Sequence, residues 1–205
     1  MNGRRITDEP TRDLVTMVYG GLINKKMVAS LQALQCNAIG VTGADGNLIK
    51  ATRRPVKEID YGFVGDITPE GVNSSFLYFL LKQNVTPVFA PLTYANGEIL
   101  NTNADTIASD IAISLSKHFD IRLIFCFDKQ GVLKDVNDEG SSIRLLHEAN
   151  YKELLAHGAL ADGILPKLEN AFSAIHAGVK EVLIGGASDL LKNIKEETEG
   201  TLIRE

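Results

Sequence analysis

The sequence predicts an α/β fold, a three-layer αβα sandwich around a central, mainly parallel sheet. Three observations predict it. Residues 121–127, Ile-Arg-Leu-Ile-Phe-Cys-Phe, are apolar on both faces, as a central parallel strand should be. Strand and helix patterns alternate through the second half, which covers both faces of a sheet with helices. Near the start, a long helical pattern gives way to the short apolar run Ala38-Ile39-Gly40-Val41.

The first element covers about 11–34. Leu14, Val18, Leu22, Met27, Leu31 and Leu34 recur at three-, four- and five-residue steps, and Asp8 or Thr11 can cap its start. Gly20-Gly21 would weaken an isolated helix by about 1 kcal/mol each, so they are expected to permit a close approach of backbone. The turn-rich Gly43-Ala44-Asp45-Gly46-Asn47 closes the first strand, and 48–68 read as short strands and turns. A helix over 74–83 buries Phe76, Leu77, Phe79, Leu80 and Leu81, and a strand over 85–92 has prolines at its flanks. Next come a helix over 104–118 with Ile107, Ile111 and Leu115 on one stripe, the apolar strand, and a polar loop, Asp128-Lys129-Gln130-Gly131. Helices near 149–158 and 167–177, a strand over 181–184 and a last strand, Thr201-Leu202-Ile203, complete the chain. A division into two lobes is expected near 92–98, giving 1–95 and 96–205.

The 205 residues carry 21 Lys+Arg and 26 Asp+Glu, a formal net charge of −5. A mildly acidic chain with no block of basic residues lacks the footprint of a nucleic-acid binder. No apolar run approaches the ~20 residues of a membrane span, and Met1-Asn2-Gly3-Arg4-Arg5 is not followed by a signal peptide's apolar stretch. Cys36 and Cys126 lie in apolar surroundings and read as buried free thiols. The expectation is a cytoplasmic globular protein.

Familiar phosphate loops, metal-ligand spacings and nucleophile elbows are missing from the sequence. His118, His147, His157 and His176 read as surface or helix-end residues and no metal site is expected. Three features carry chemistry. Asn101-Thr102-Asn103-Ala104-Asp105 stands at the entry to a helix; capping needs one side chain, whereas an extended Asn-x-Asn-x-Asp turns all three towards one pocket. Capping and ligand contact both stay open. In Asp162-Gly163-Ile164-Leu165-Pro166-Lys167, Pro166 opens a helix and Lys167 falls in its first turn, against the helix dipole; a phosphate there would make sense of it, a solvated lysine being the plain alternative. The loop 128–131 follows the apolar strand, where open α/β sheets bind ligands, although a surface turn explains it equally well.

Six motifs stand in the order seen in N-acetylglutamate kinases of the amino acid kinase family: Asn2-Gly3-Arg4-Arg5-Ile6-Thr7, Gly43-Ala44-Asp45-Gly46-Asn47-Leu48-Ile49, Tyr61-Gly62-Phe63-Val64-Gly65-Asp66, Pro87-Val88-Phe89-Ala90-Pro91, Asn101-Thr102-Asn103-Ala104-Asp105 and Gly163-Ile164-Leu165-Pro166-Lys167. The chain resembles that family over essentially its whole length. The resemblance implies ATP-dependent phosphorylation of the side-chain carboxylate of an N-acyl-L-glutamate in arginine biosynthesis. It implies an acyl-amino-acid lobe in 1–95, a nucleotide lobe in 96–205, ATP and Mg²⁺ as cofactors, and a homodimer. Arg5 resembles the arginine that grips the substrate's α-carboxylate, with Asn101 and Asn103 also on the substrate side. Lys167 resembles the lysine that neutralises the transferring phosphoryl group, and Asp105 the carboxylate that orients it. Residues 128–131 and Ala159, Leu160 and Ala161 fall where the family holds its nucleotide.

Family members begin with a strand leading into a Lys-x-Gly-Gly turn, followed by a second glycine-rich loop. This chain opens at the later Asn-Gly-x-Arg motif, so the expectation is an incomplete N-terminal part and, for the chain as it stands, severely impaired turnover. The alternative is a non-catalytic N-acylamino-acid-binding or regulatory protein that has lost its phosphate-binding loops.

Overall fold

The computed structural model describes residues 6–135, 137, 138, 140–157, 160, 163–195 and 198–204. The chain divides into two compact units, residues 1–115 and 116–205, so the hairpin and long helix that follow Pro91 go with the first.

The first unit opens with a continuous helical stretch. Asp8 caps helix α1 (Glu9–Val15) by accepting from Thr11 N at 2.9 Å, and hydrogen bonding from the Thr11 side chain, and then from its backbone, holds the carboxyl below the usual value. The middle, Thr16–Ile23, is a π-helix, and α2 (Asn24–Ala33) follows. The five-residue step from Leu22 to Met27 crosses the exit of that wider turn. Gly20 makes the expected close approach, since a Cβ there would stand 3.1 Å from Leu92 Cδ1; Gly21 has nothing within 4 Å. Much of the apolar stripe faces outwards: Leu14, Leu22, Met27 and Leu34 are exposed. Buried Asn24 ties the stretch to the strands, donating to Val88 O at 2.8 Å.

Strand β1 (Ala38–Val41) is followed by β2 (Thr52–Arg53), β3 (Gly65–Asp66), α3 (Ser74–Lys82), β4 (Thr86–Phe89), β5 (Leu92–Ala95), β6 (Glu98–Asn101) and α4 (Ala104–Leu115). β1 pairs with β4 in parallel, β2 with β3 and β5 with β6 antiparallel. Phe63 and Ile67 pack on a small core of Ala51, Ala95 and Leu100.

The second unit contains β7 (Arg122–Phe127), β8 (Leu145–Leu146), α5 (Glu148–Ala156), α6 (Leu165–His176), β9 (Glu181–Gly186), α7 (Leu190–Asn193) and β10 (Thr201–Ile203). They form a mixed sheet in the order β7-β9-β10-β8, with β7 parallel to β9 and β10 antiparallel to it. The inner strands are β10 and β9, the latter buried along its full length, and not β7 as its apolarity suggested. Within the described sheet β7 is an edge, paired with β9 alone. That placement corrects the cysteines as well: Cys126 on β7 is exposed and Cys36 is half-buried. α6 packs on β9 and β10 through Leu168, Ala171, Phe172 and Ile175. Among the described residues, no helix is long and apolar enough to cross a membrane.

Candidate functional site

In the first unit, buried Thr7 is stitched to the segment Tyr61–Phe63: its N–H donates to Tyr61 O at 3.0 Å and its carbonyl accepts from Phe63 N at 2.7 Å. Asn101, the last residue of β6, completes the group. Its N–H donates to Phe63 O at 2.8 Å and its Nδ2 to Thr7 Oγ1 at 3.1 Å. Asn101 is thereby fixed beside Thr7, two residues after Arg5, which itself lies outside the described residues.

The same segment is clamped by arginines that sequence reasoning passed over. The guanidiniums of Arg12 and Arg53 each lie 4.3 Å from the centroid of the Phe63 ring. Arg54 grips Asp66, with Nε at 3.0 and 3.1 Å from the two oxygens, and these hydrogen bonds raise its pKa. A glycine is needed at 62: its φ is +69°, and a Cβ would stand 2.1 Å from Thr7 O.

The alternation Asn101, Asn103, Asp105 ends at Asn103, because α4 begins at Ala104. Asn103 acts as the cap, its Oδ1 accepting from Thr106 N at 3.1 Å. Asp105 sits half-buried in the first turn. One turn and a half further on is a second carboxylate. Asp110 is 8% exposed, and among the described residues its Oδ2 has no hydrogen-bond partner. Burial, and then the charge of Glu70, push its pKa up to about 6. In the sequence it reads as an ordinary polar position of an amphipathic helix.

In the second unit, the loops leaving the C-terminal ends of β7 and β9 enclose a cavity of about 250 Å³. Asp128, Lys129, Gln130 and Leu133 line it from one loop, and Gly186, Ser188 and Asp189 from the other. Gly131 lies behind this wall, buried so closely that a Cβ would meet Thr201 Oγ1 at 2.6 Å and Ser142 Oγ at 2.8 Å. Thr201 Oγ1 accepts from Val132 N at 2.8 Å and donates to Ile143 O at 2.5 Å, while Asn193 Oδ1 accepts from Glu199 N and Gly200 N at 3.1 Å each. Both hold the loops that shape the cavity. Gly186, Ser188 and Asp189 were missed; the strand-end rule that selected 128–131 selects them too, once applied to β9.

Lys167 occupies the first turn of α6, behind Pro166, and its Nζ lies 5.4 Å from the centroid of the buried Phe125 ring on β7. The lysine therefore leans on the strand whose end borders the cavity. Leu160 is half-buried; Ala159 and Ala161 fall outside the described residues. Asp105 and Lys167 belong to different units. All four histidines are exposed as expected, with His157 against Glu153 O at 2.7 Å and His176 against Glu148 Oε2 at 3.1 Å.

The model of the amino acid kinase family matches residues 2–186. The acetylglutamate kinase of Phocaeicola vulgatus is 53% identical over 205 residues, covering 100% of this chain and 77% of that protein. That of Methanopyrus kandleri is 37% identical over 209 residues, covering 100% and 81%. Among solved structures, smu.665 from Streptococcus mutans superposes with a TM-score of 0.80 at 27% identity, covering 100% of this chain and 76% of that one. The N-acetylglutamate synthase of Neisseria gonorrhoeae, complexed with coenzyme A and N-acetyl-glutamate, shares the fold at a TM-score of 0.83 and 21% identity, covering 100% and 46%.

Proposed function

Because the chain belongs to the amino acid kinase family, we propose that it transfers the γ-phosphoryl group of ATP to the side-chain carboxylate of N-acetyl-L-glutamate. The observation that carries this reading is the end-to-end likeness to the acetylglutamate kinases. Those relatives support acetyl as the acyl group. The acetylglutamate kinases among its relatives favour the catalytic reading over the non-catalytic alternative.

The chemistry suits the residues. A carboxylate nucleophile is already ionised at neutral pH, so no general base is required. Phosphoryl transfer asks for positioning and for charge on the moving group to be met. In this reading Arg5 grips the α-carboxylate through a bidentate guanidinium, and Asn101, fixed against Thr7 and Phe63, supports the substrate beside it. Asn103 spends its oxygen on the cap of α4, leaving its amide donors for the substrate. Lys167 meets the charge of the transferring group, and Asp105 keeps the carboxylate role that the family resemblance gives it. The cavity lined by Asp128, Lys129 and Gln130 takes part of the nucleotide, with Gly131 packed behind its wall; Ala159, Leu160 and Ala161 keep the nucleotide-side role that the family resemblance implies. Mg²⁺ would be carried largely by the nucleotide phosphates, supplying charge neutralisation and asking for few protein oxygens; Asp128 and Asp189 are the carboxylates on the described cavity wall. A cytoplasmic homodimer is the working form that the family resemblance supports.

The test pairs binding with turnover. Calorimetry should register N-acetyl-L-glutamate and Mg-ATP separately, and hydroxylamine should trap the acyl phosphate. Lys167→Ala should lower the trapped rate by about 10²–10³-fold, with N-acetyl-L-glutamate binding unchanged. An unchanged rate refutes the role of Lys167. A wild-type chain that takes the amino acid and ignores nucleotide supports the non-catalytic alternative instead.

A further inference from the structure

Asn101 and Asn103 flank a buried threonine. Thr102 follows β6, and its partner Thr93 on β5 is fully buried. In the β5–β6 hairpin Thr93 pairs with Leu100 and Leu92 with Asn101, so the two threonines meet diagonally, their Oγ1 atoms 2.7 Å apart. Valine would fill the same space with no polar atom to satisfy. Here the hydroxyls satisfy each other and reach a third strand, since Thr102 Oγ1 also donates to Gly65 O on β3 at 3.4 Å. Among the described residues Thr93 Oγ1 has no acceptor besides Thr102, which fixes the order of the protons. Thr93 donates to Thr102, and Thr102 donates to Gly65 O.

This relay closes the point where β3, β5 and the end of β6 meet. Position 65 has no room for a side chain: a Cβ would stand 2.6 Å from each threonine Oγ1 and 3.1 Å from Leu100 Cβ. Thr102 N donates to Pro91 O at 3.1 Å, so the hairpin continues one residue beyond Asn101. Asn101 is then bounded on both sides, by Phe63 O accepting its N–H and by Leu92 across the hairpin. Successive side chains of an extended chain point to opposite faces. With Thr102 anchored inwards on Thr93 and Gly65, Asn101 and Asn103 are turned to the other face, where Asn101 Nδ2 reaches Thr7 Oγ1 at 3.1 Å. Burial agrees with that alternation: Thr102 is buried between half-buried Asn101 and exposed Asn103.

We infer that Thr102 is a positioning residue for the N-acyl-L-glutamate site: its hydroxyl, held by Thr93, keeps residues 101–103 extended so that the amides of Asn101 and Asn103 face the substrate together. The inference rests on the substrate assignment proposed above. The threonines touch no ligand themselves and act through the asparagines. Thr93, Thr102 and Gly65 belong to the first unit and the nucleotide cavity to the second, so loss of the relay should act on one ligand alone.

Calorimetry with N-acetyl-L-glutamate and with Mg-ATP, run separately, tests it on Thr93→Val, Thr102→Val, the double variant and Thr102→Ser. Each single valine should weaken N-acetyl-L-glutamate binding by about five- to tenfold, the worth of one neutral hydrogen bond, and leave Mg-ATP binding unchanged. Thr102→Ser keeps the hydroxyl and should keep the wild-type affinity. The double variant separates positioning from packing. Replacing both partners of a hydrogen bond by apolar groups of the same shape leaves no hydroxyl stranded, so Tm should return towards the wild-type value while N-acetyl-L-glutamate affinity stays low. It also decides the matter should a single valine variant fail to fold. The inference is overturned if the valine variants keep wild-type affinity, if affinity recovers together with Tm in the double variant, if Thr102→Ser loses as much as Thr102→Val, or if both ligands weaken equally. A wild-type chain that does not bind N-acetyl-L-glutamate defeats the substrate assignment itself, a result distinct from valine variants that bind it as the wild type does.

Discussion

Glu181 opens β9 at the end of the sheet away from the cavity, with its side chain 7% exposed between two arginines. Arg204 donates to Oε2 through Nε at 3.0 Å and Nη2 at 2.6 Å, and Arg122 Nε donates to Oε1. Burial opposes ionisation most strongly, yet the hydrogen bonds from Arg204 and Arg122 outweigh it and hold the carboxyl below its ordinary value. Glu181→Gln removes the charge and keeps the shape. Severing a fully buried ion pair costs about 3–5 kcal/mol. The figure is smaller here, because Arg204 is half exposed and rehydrates, and Arg122 keeps Lys195 O as an acceptor at 2.7 Å. A loss of about 2–3 kcal/mol follows, or about 4–12 °C in Tm for a chain of this size. Thermal melts followed by circular dichroism measure it. The sign with pH is fixed: a depressed carboxyl pKa stabilises above the unfolded value of ~4.3 and the contribution fades as pH falls through the lower folded value. The gap between wild type and variant should therefore be full at pH 7, persist at pH 5.5 and close below pH 4. A variant melting within about 1 °C of wild type at pH 7, or a gap that widens on acidification, refutes the reasoning.

Asp110 has the opposite sign. With its pKa raised from 3.8 to about 6, the folded state resists its ionisation, so stability is greatest below the unfolded value and falls as pH rises through about 6. Asp110→Asn should gain about 1–3 kcal/mol at pH 7.5 and lose that pH dependence in urea titrations; an unchanged pH profile counts against it. Gly62→Ala should cost about 2–4 kcal/mol, from a left-handed φ and a Cβ placed against Thr7 O. It should also weaken N-acetyl-L-glutamate binding through displaced Asn101 while leaving ATP binding intact, and equal losses for both ligands would disconnect Gly62 from the substrate side.

Periodicity reported the strong elements and was silent about neighbours. The helix at Leu165–His176 and the strand at Glu181–Gly186 followed from apolar spacing and a first-turn proline. An apolar pattern on both faces says that a strand is covered above and below; it says nothing of strands at its sides. That is why β7 and β9 could not be ranked, and why Cys126 looked buried. The π-helical turn had no local signal either, since it depends on partners far along the chain, Leu92 under Gly20 and Val88 O on Asn24.

The candidate site divides the same way. Asn101, Asn103, Asp105 and Lys167 were legible because they crowd the starts of helices, where a polar side chain serves as cap or charge and any excess stands out. Asp110 and Asp189 did not stand out, for different reasons. Asp110 lies on a helix whose buried positions include Ile107, Asp110 and Ser114 along one line and Ser109 and Ala112 along another. Such a helix is covered from more than one side, so its polar residues mimic the solvated face of an amphipathic one. Asp189 owes its place to the turn after β9, and its fixed carboxylate to Lys192 and Glu199, a pairing that exists only once Asn193 has folded the chain back at Gly200. A carboxylate fixed by tertiary contacts carries no spacing signature, yet it is the kind most able to present one oxygen to a ligand at a fixed angle.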